Sequence, residues 1–114
     1  MLESEILKIE GDIHLVTLKG RLTLGSRLSL LEAEVNTLAD NGSKKIILDL
    51  ENVEYADSAA LGVLLHATST VRSKGGKLVL AAPNERLRDL FKLTNTEQLL
   101  TICPSRAACI SQFM

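Results

Sequence analysis

Two aliphatic runs constrain this chain more than any other feature. Lys45-Ile46-Ile47-Leu48-Asp49-Leu50 and Lys77-Leu78-Val79-Leu80-Ala81-Ala82 are nearly unbroken apolar stretches of strand length. A strand with one wet face alternates, whereas one covered on both faces reads as a continuous run. Each run is flanked by segments with apolar residues at helical spacing. From about Ser26 to Asp40 the stripe is Leu28, Leu31, Val35, Leu38 and Ala39, with Ser26 able to cap the start and Asp40-Asn41-Gly42 as the stop. From about Ser58 to Ser73 it is Leu61, Leu64, Leu65, Thr68 and Val71, ended by Lys74-Gly75-Gly76. Strands alternating with helices imply parallel strands joined by right-handed crossovers.

The ends of the chain extend this pattern. Ile6 to Ile9 and Ile13 to Leu18 are β-rich runs around a Glu10-Gly11-Asp12 turn, so the chain opens with a hairpin, and Gly20 closes its second strand. After the second buried run, Asn84 can cap a third helix with Leu87, Leu90 and Phe91 inward. Leu99 to Ile102 reads as a short strand, and Pro104-Ser105 starts a last helix that packs through Ala108, Cys109 and Phe113. The expected fold is α/β: a mixed, mostly parallel sheet of about five strands, an N-terminal hairpin and four helices. At 114 residues, with no linker, repeat or low-complexity segment, a single domain over 1–114 is expected.

Charge and composition narrow the function. With 13 basic and 14 acidic residues and no basic run, the chain lacks the electrostatic footprint of a nucleic-acid binder. Tyr55, Phe91 and Phe113 are too scattered for base stacking. Cys103 and Cys109 read as buried hydrophobes in a reducing compartment, and with His14 and His66 far off in sequence no metal site is expected. The N-terminus lacks the basic and apolar regions of a signal peptide, and no apolar stretch is long enough to span a membrane; a cytoplasmic protein without membrane insertion is expected. Arg21, Arg86, Arg88 and Lys92 read as solvated faces, from which one or two could meet an acidic partner. Asp49, at the end of a buried strand, is expected to accept hydrogen bonds from the loop after it. Gly75-Gly76 precedes a strand, so it is no phosphate-binding loop, and no cofactor is expected.

The segment Val53-Glu54-Tyr55-Ala56-Asp57-Ser58-Ala59-Ala60-Leu61-Gly62 carries the chemistry. Glu51 to Asp57 reads as a loop at the carboxyl end of a parallel strand, where function gathers in such sheets. Asp57-Ser58 then opens a helix. The first helical N–H groups lack partners and carry partial positive charge, so Asp or Ser there accepts hydrogen bonds and a phosphate is tolerated. The small residues Ala59, Ala60 and Gly62 leave room for another protein's backbone. Asp-Ser is also among the commonest ways to start a helix, so spacing alone does not make Ser58 a phosphate acceptor.

The order of these pieces resembles the STAS domain family. There, a strand ending in Asp-Leu, here Ile46 to Leu50, leads to a D-S-[SA]-G-L-G stretch, here Asp57-Ser58-Ala59-Ala60-Leu61-Gly62. Leu18-Lys19-Gly20-Arg21-Leu22 resembles the family's G-x-L turn, and Gly75 to Leu78 with Asn84 to Leu93 resembles its second glycine turn and third helix. The anti-sigma factor antagonists of this family imply phosphorylation at Ser58 by a serine kinase that is also the anti-sigma factor, release on phosphorylation, and restoration by a phosphatase. The implied partner surface is Asp57, Ser58, Ala59, Ala60, Gly62 and Thr23, on a monomer or weak dimer with no enzymatic activity. Two residues depart from the pattern: Ala60 replaces a glycine, and Thr23 stands where antagonists often carry an acid. The other STAS role is a scaffold subunit of a sensory complex, or a cytoplasmic part of a transport system, without phospho-switching. An enzyme using Ser58 as nucleophile would need a base, but the chain lacks G-x-S-x-G around it and neither histidine is placed by sequence to serve as one.

Overall fold

A computed structural model describes all 114 residues. The hairpin pairs β1 (Glu3–Ile9) with β2 (Ile13–Leu22) around a single 3-10 turn at Glu10–Asp12. Then follow α1 (Ser26–Asp40), β3 (Lys45–Ala56), α2 (Ser58–Ser73), β4 (Lys77–Ala81), α3 (Glu85–Leu93), β5 (Ile102–Cys103) and α4 (Arg106–Phe113). The five strands lie in sequence order; β1 is antiparallel to β2, and β2 through β5 are parallel. With strands laid down in one direction, right-handed crossovers send every connecting helix to the same face. The packing agrees: α1, α2 and α3 share one cluster with the inward residues of β2, β3 and β4. Only α4 covers the other face, packing Cys109 with Ala108, Ile110 and Phe113 on Ile13, Leu15, Ile47, Val79 and Ala81. Alternate residues of Ile46 to Leu50 therefore enter different cores, which is why the run carries no polar residue except Asp49.

The structure corrects several expectations. β2 continues past Gly20 to Leu22. Gly20 adopts φ +109°, and the first residue of the chain crosses it so closely that a side chain would overlap the Met1 carbonyl. The segment expected as a loop from Glu51 to Asp57 is strand as far as Ala56, because β3 stays paired with β2 after β4 has ended. Two register shifts interrupt that pairing, so the alternation that marks a strand is lost. Helix α1 is capped by Gly25 with no side-chain hydrogen bond, not by Ser26, which is its first residue. The run Leu99 to Ile102 is not a strand as a whole: Glu97–Leu99 form a 3-10 turn and pairing is confined to Ile102–Cys103. Asn84 caps α3 as its sequence suggests, and Ser105, just ahead of α4, is that helix's cap.

Candidate functional site

The site forms where β2 and β3 leave the sheet. Parallel register brings Leu22 opposite Ala56, and the Asp57 amide donates to the Leu22 carbonyl at 3.0 Å. Asp57 is then the N-cap of α2. One carboxylate oxygen accepts from the Ala60 amide at 2.9 Å, satisfying an orphan donor of the helix tip. The other accepts from the Leu24 amide at 2.9 Å, across 33 residues of sequence. One side chain thus closes the helix and holds the β2–α1 loop against it. These backbone donors, Leu24 first and Ala60 next, keep the Asp57 carboxyl below its ordinary value.

Ser58 is the first residue of α2 and is exposed, and its hydroxyl takes no part in the chain's own hydrogen bonds. It stands next to a rigid cap on a helix end whose amides favour negative charge. Gly62, one turn further along, is also exposed, and a Cβ there would meet nothing within 4 Å. The fold itself does not require a glycine at that position. Ala59 is half-buried and packs on the main core. Ala60 departs from the expected partner surface: at 0 % exposure it is sealed under the helix and seats α2 on the sheet. Thr23 is half-buried in the loop that Asp57 anchors.

That loop also carries a residue the sequence did not single out. Leu24 is 80 % exposed while its amide is tied to Asp57, so an apolar side chain is presented to solvent from a fixed backbone. No periodicity marks it, because it lies between elements. The strand order never reverses among β2 to β5, so no switch-point crevice opens for a small ligand. The carboxyl end is an open surface bearing Leu24, Ser58 and Gly62. His14 bonds Ser43 Oγ at 2.8 Å and His66 pairs with Glu32 at 3.1 Å, so neither ring is engaged with Ser58 as a general base. No three His, Cys, Asp or Glu side chains gather as a metal would require.

Asp49 accepts the Glu51 amide at 3.0 Å, as expected, and also receives both Nε and Nη2 of Arg106 at 2.9 and 2.7 Å. This pair fastens α4 to the sheet and lies on the face away from α2.

Comparison with known proteins places this geometry. The family described as STAS domain matches residues 6–109. BtrV of Bordetella bronchiseptica, a candidate anti-sigma factor antagonist, is 31% identical over 83 residues, covering 73% of this chain and 72% of that protein. A candidate anti-sigma factor antagonist of Thermotoga maritima superposes with a TM-score of 0.87 at 23% identity, covering 96% of this chain and 93% of the other. The anti-sigma factor antagonist SpoIIAA, unphosphorylated, gives 0.80 at 17% identity, with 96% and 95% coverage. SpoIIAA of Bacillus in its phosphorylated form gives 0.77 at 17%, with 98% and 100% coverage.

Proposed function

The chain belongs to the STAS domain family, and from that premise we propose that it is an anti-sigma factor antagonist switched by phosphorylation at Ser58. The observation that carries the reading is a solvent-exposed hydroxyl at the first position of α2, beside a carboxylate that fixes both the helix tip and the Leu24 loop. The partner is an anti-sigma factor that doubles as the serine kinase. It docks in the cytoplasm on the surface formed by Ser58, Gly62, Asp57, Ala59, Thr23 and Leu24. Leu24 supplies an apolar contact, and Gly62 lets the partner approach the helix backbone.

The switch follows from electrostatics. A phosphate adds about −1.5 to −2 charges and three acceptor oxygens. The helix end tolerates that charge, and Ser58 is exposed, so the fold survives. At the interface the same group brings bulk and a dianion into a closely packed patch already holding the Asp57 carboxylate. A loss of about 3 kcal/mol weakens binding roughly a hundredfold. A phosphatase restores the hydroxyl.

The test is phosphate transfer from radiolabelled ATP by the organism's serine-kinase anti-sigma factor, with calorimetry of the same pair. Wild-type chain takes label and binds; Ser58→Ala binds without taking label; Ser58→Asp retains its circular dichroism and does not bind. Label on Ser58→Ala, or undiminished binding by Ser58→Asp, overturns the reading.

A further inference from the structure

A second group of side chains stands at the same end of the sheet. Parallel pairing sets Arg21 beside Tyr55. From the first turn of α3, the Arg86 guanidinium lies over the Tyr55 ring, 5.3 Å from its centroid. Tyr55 is the only tyrosine of the chain and is 38 % exposed. Arg21, Glu54, Tyr55 and Arg86 line one open cleft. The seat is rigid, because Asn84 caps α3 through the Leu87 amide and donates from its side chain to the Val53 and Glu54 carbonyls at 3.0 and 3.2 Å. One residue therefore fixes the strand that bears Tyr55 to the helix that bears Arg86.

Neither guanidinium group is ion-paired. Arg106 is spent on Asp49 and Arg88 on the Pro83 carbonyl. Arg21 and Arg86 take part in none of the chain's ion pairs and donate no hydrogen bond to it. A guanidinium fork matches a carboxylate in two-point geometry, and Arg with Tyr is the composition of interface hot spots. Tyr55 precedes Ser58 by three residues, across the end of β3 and the Asp57 cap.

We infer that Arg21, Tyr55 and Arg86 form a docking site for an acidic, carboxylate-bearing segment of the protein partner that meets Ser58. The inference rests on the proposed phospho-switch for the partner's identity, while its chemistry stands on the cleft alone. Charge complementarity selects the occupant: two guanidinium forks without an ion pair, one of them over the Tyr55 ring, take carboxylates, and Glu54, the one acid of the cleft, sets a repulsive limit on how tightly they are held.

The test titrates a synthetic oligoglutamate peptide into the isotope-labelled full chain at neutral pH and low salt, followed by NMR. The Nε–H signals of Arg21 and Arg86 and the Tyr55 ring signals shift, and the shifts fade as salt is raised. Arg21→Gln and Arg86→Gln each weaken the peptide about fivefold, the upper range for exposed pairs, while Glu54→Gln tightens it. Unchanged affinity in both arginine variants overturns the inference. So does inorganic phosphate shifting the same signals where the peptide does not, which would make the cleft a phosphate site. No kinase is present and Ser58 is untouched, so failure here leaves the phospho-switch standing. Failure of Ser58 labelling leaves this cleft standing.

Discussion

Asp57 does more at the residue scale than the hydroxyl beside it. One oxygen serves the Leu24 amide, 33 residues away in sequence, and the other the Ala60 amide, three residues on. Asn in its place keeps one acceptor oxygen but offers the second amide only an NH2. Asp57→Asn is expected to cost about 1 kcal/mol at neutral pH, as loss of one of the two hydrogen bonds does, measured by urea unfolding. The sign with pH follows from the lowered carboxyl. The folded chain binds the Asp57 proton less readily than the unfolded one, so this contribution is complete above the ordinary value of 3.8 and is lost as pH falls below it. The gap between wild type and Asp57→Asn should therefore close in acid, and a gap that persisted or widened there would show that the carboxylate charge is not what the amides hold. The sequence pointed to Asp57 because a cap is a local signal. The bond to Leu24 was invisible, since it depends on β2 and β3 ending side by side.

Elements were legible where their ends and stripes are local. Helices α1 and α2 run where apolar spacing and stop signals put them, with Leu28, Leu31, Val35, Leu64 and Val71 all buried. The far half of β3 was not legible. Glu51, Asn52, Glu54 and Tyr55 are exposed, two register shifts break the alternation, and only β2 pairs there. Such a strand exists because of its neighbour, not its own composition. Its extension matters for function, since it carries Tyr55 to α3 and Asp57 to the helix tip. Helix α2 itself offers a test of whether its surface is kept for a partner. A glycine inside a helix costs about 1 kcal/mol relative to alanine, and at Gly62 a methyl would enter open space. Gly62→Ala is expected to raise unfolding stability by about that amount in urea titration, and to weaken anti-sigma factor binding at the same time. A variant both more stable and equally well bound would show that Gly62 is no part of the docking face.

At the scale of the whole molecule, the sheet separates two tasks. Its main face is sealed by α1, α2 and α3, and its second by α4, clamped through Asp49 and Arg106. The carboxyl end brings together an exposed apolar residue, Leu24, an exposed hydroxyl, Ser58, and an exposed glycine, Gly62, with the Asp57 carboxylate tying the Leu24 loop to the α2 tip. A phosphate on Ser58 would place its charge beside Asp57 and compete for the amides of the α2 tip, so the Asp57 bonds to Ala60 and Leu24 are the contacts it can disturb. Ser58 itself is exposed and lies outside both buried aliphatic layers, so the added charge is not forced into the core. Phosphorylated chain is therefore expected to keep its circular dichroism and unfold within a few degrees of the unmodified chain, as a change of under about 1 kcal/mol implies. Its amide shifts should be confined to residues 22–26 and 57–62, with faster hydrogen exchange at the Leu24 amide. Perturbation reaching β4, β5 or α4 would mean that the modification acts by rearranging the fold, and an unaltered Leu24 amide would mean that Asp57 holds the loop regardless of the charge beside it.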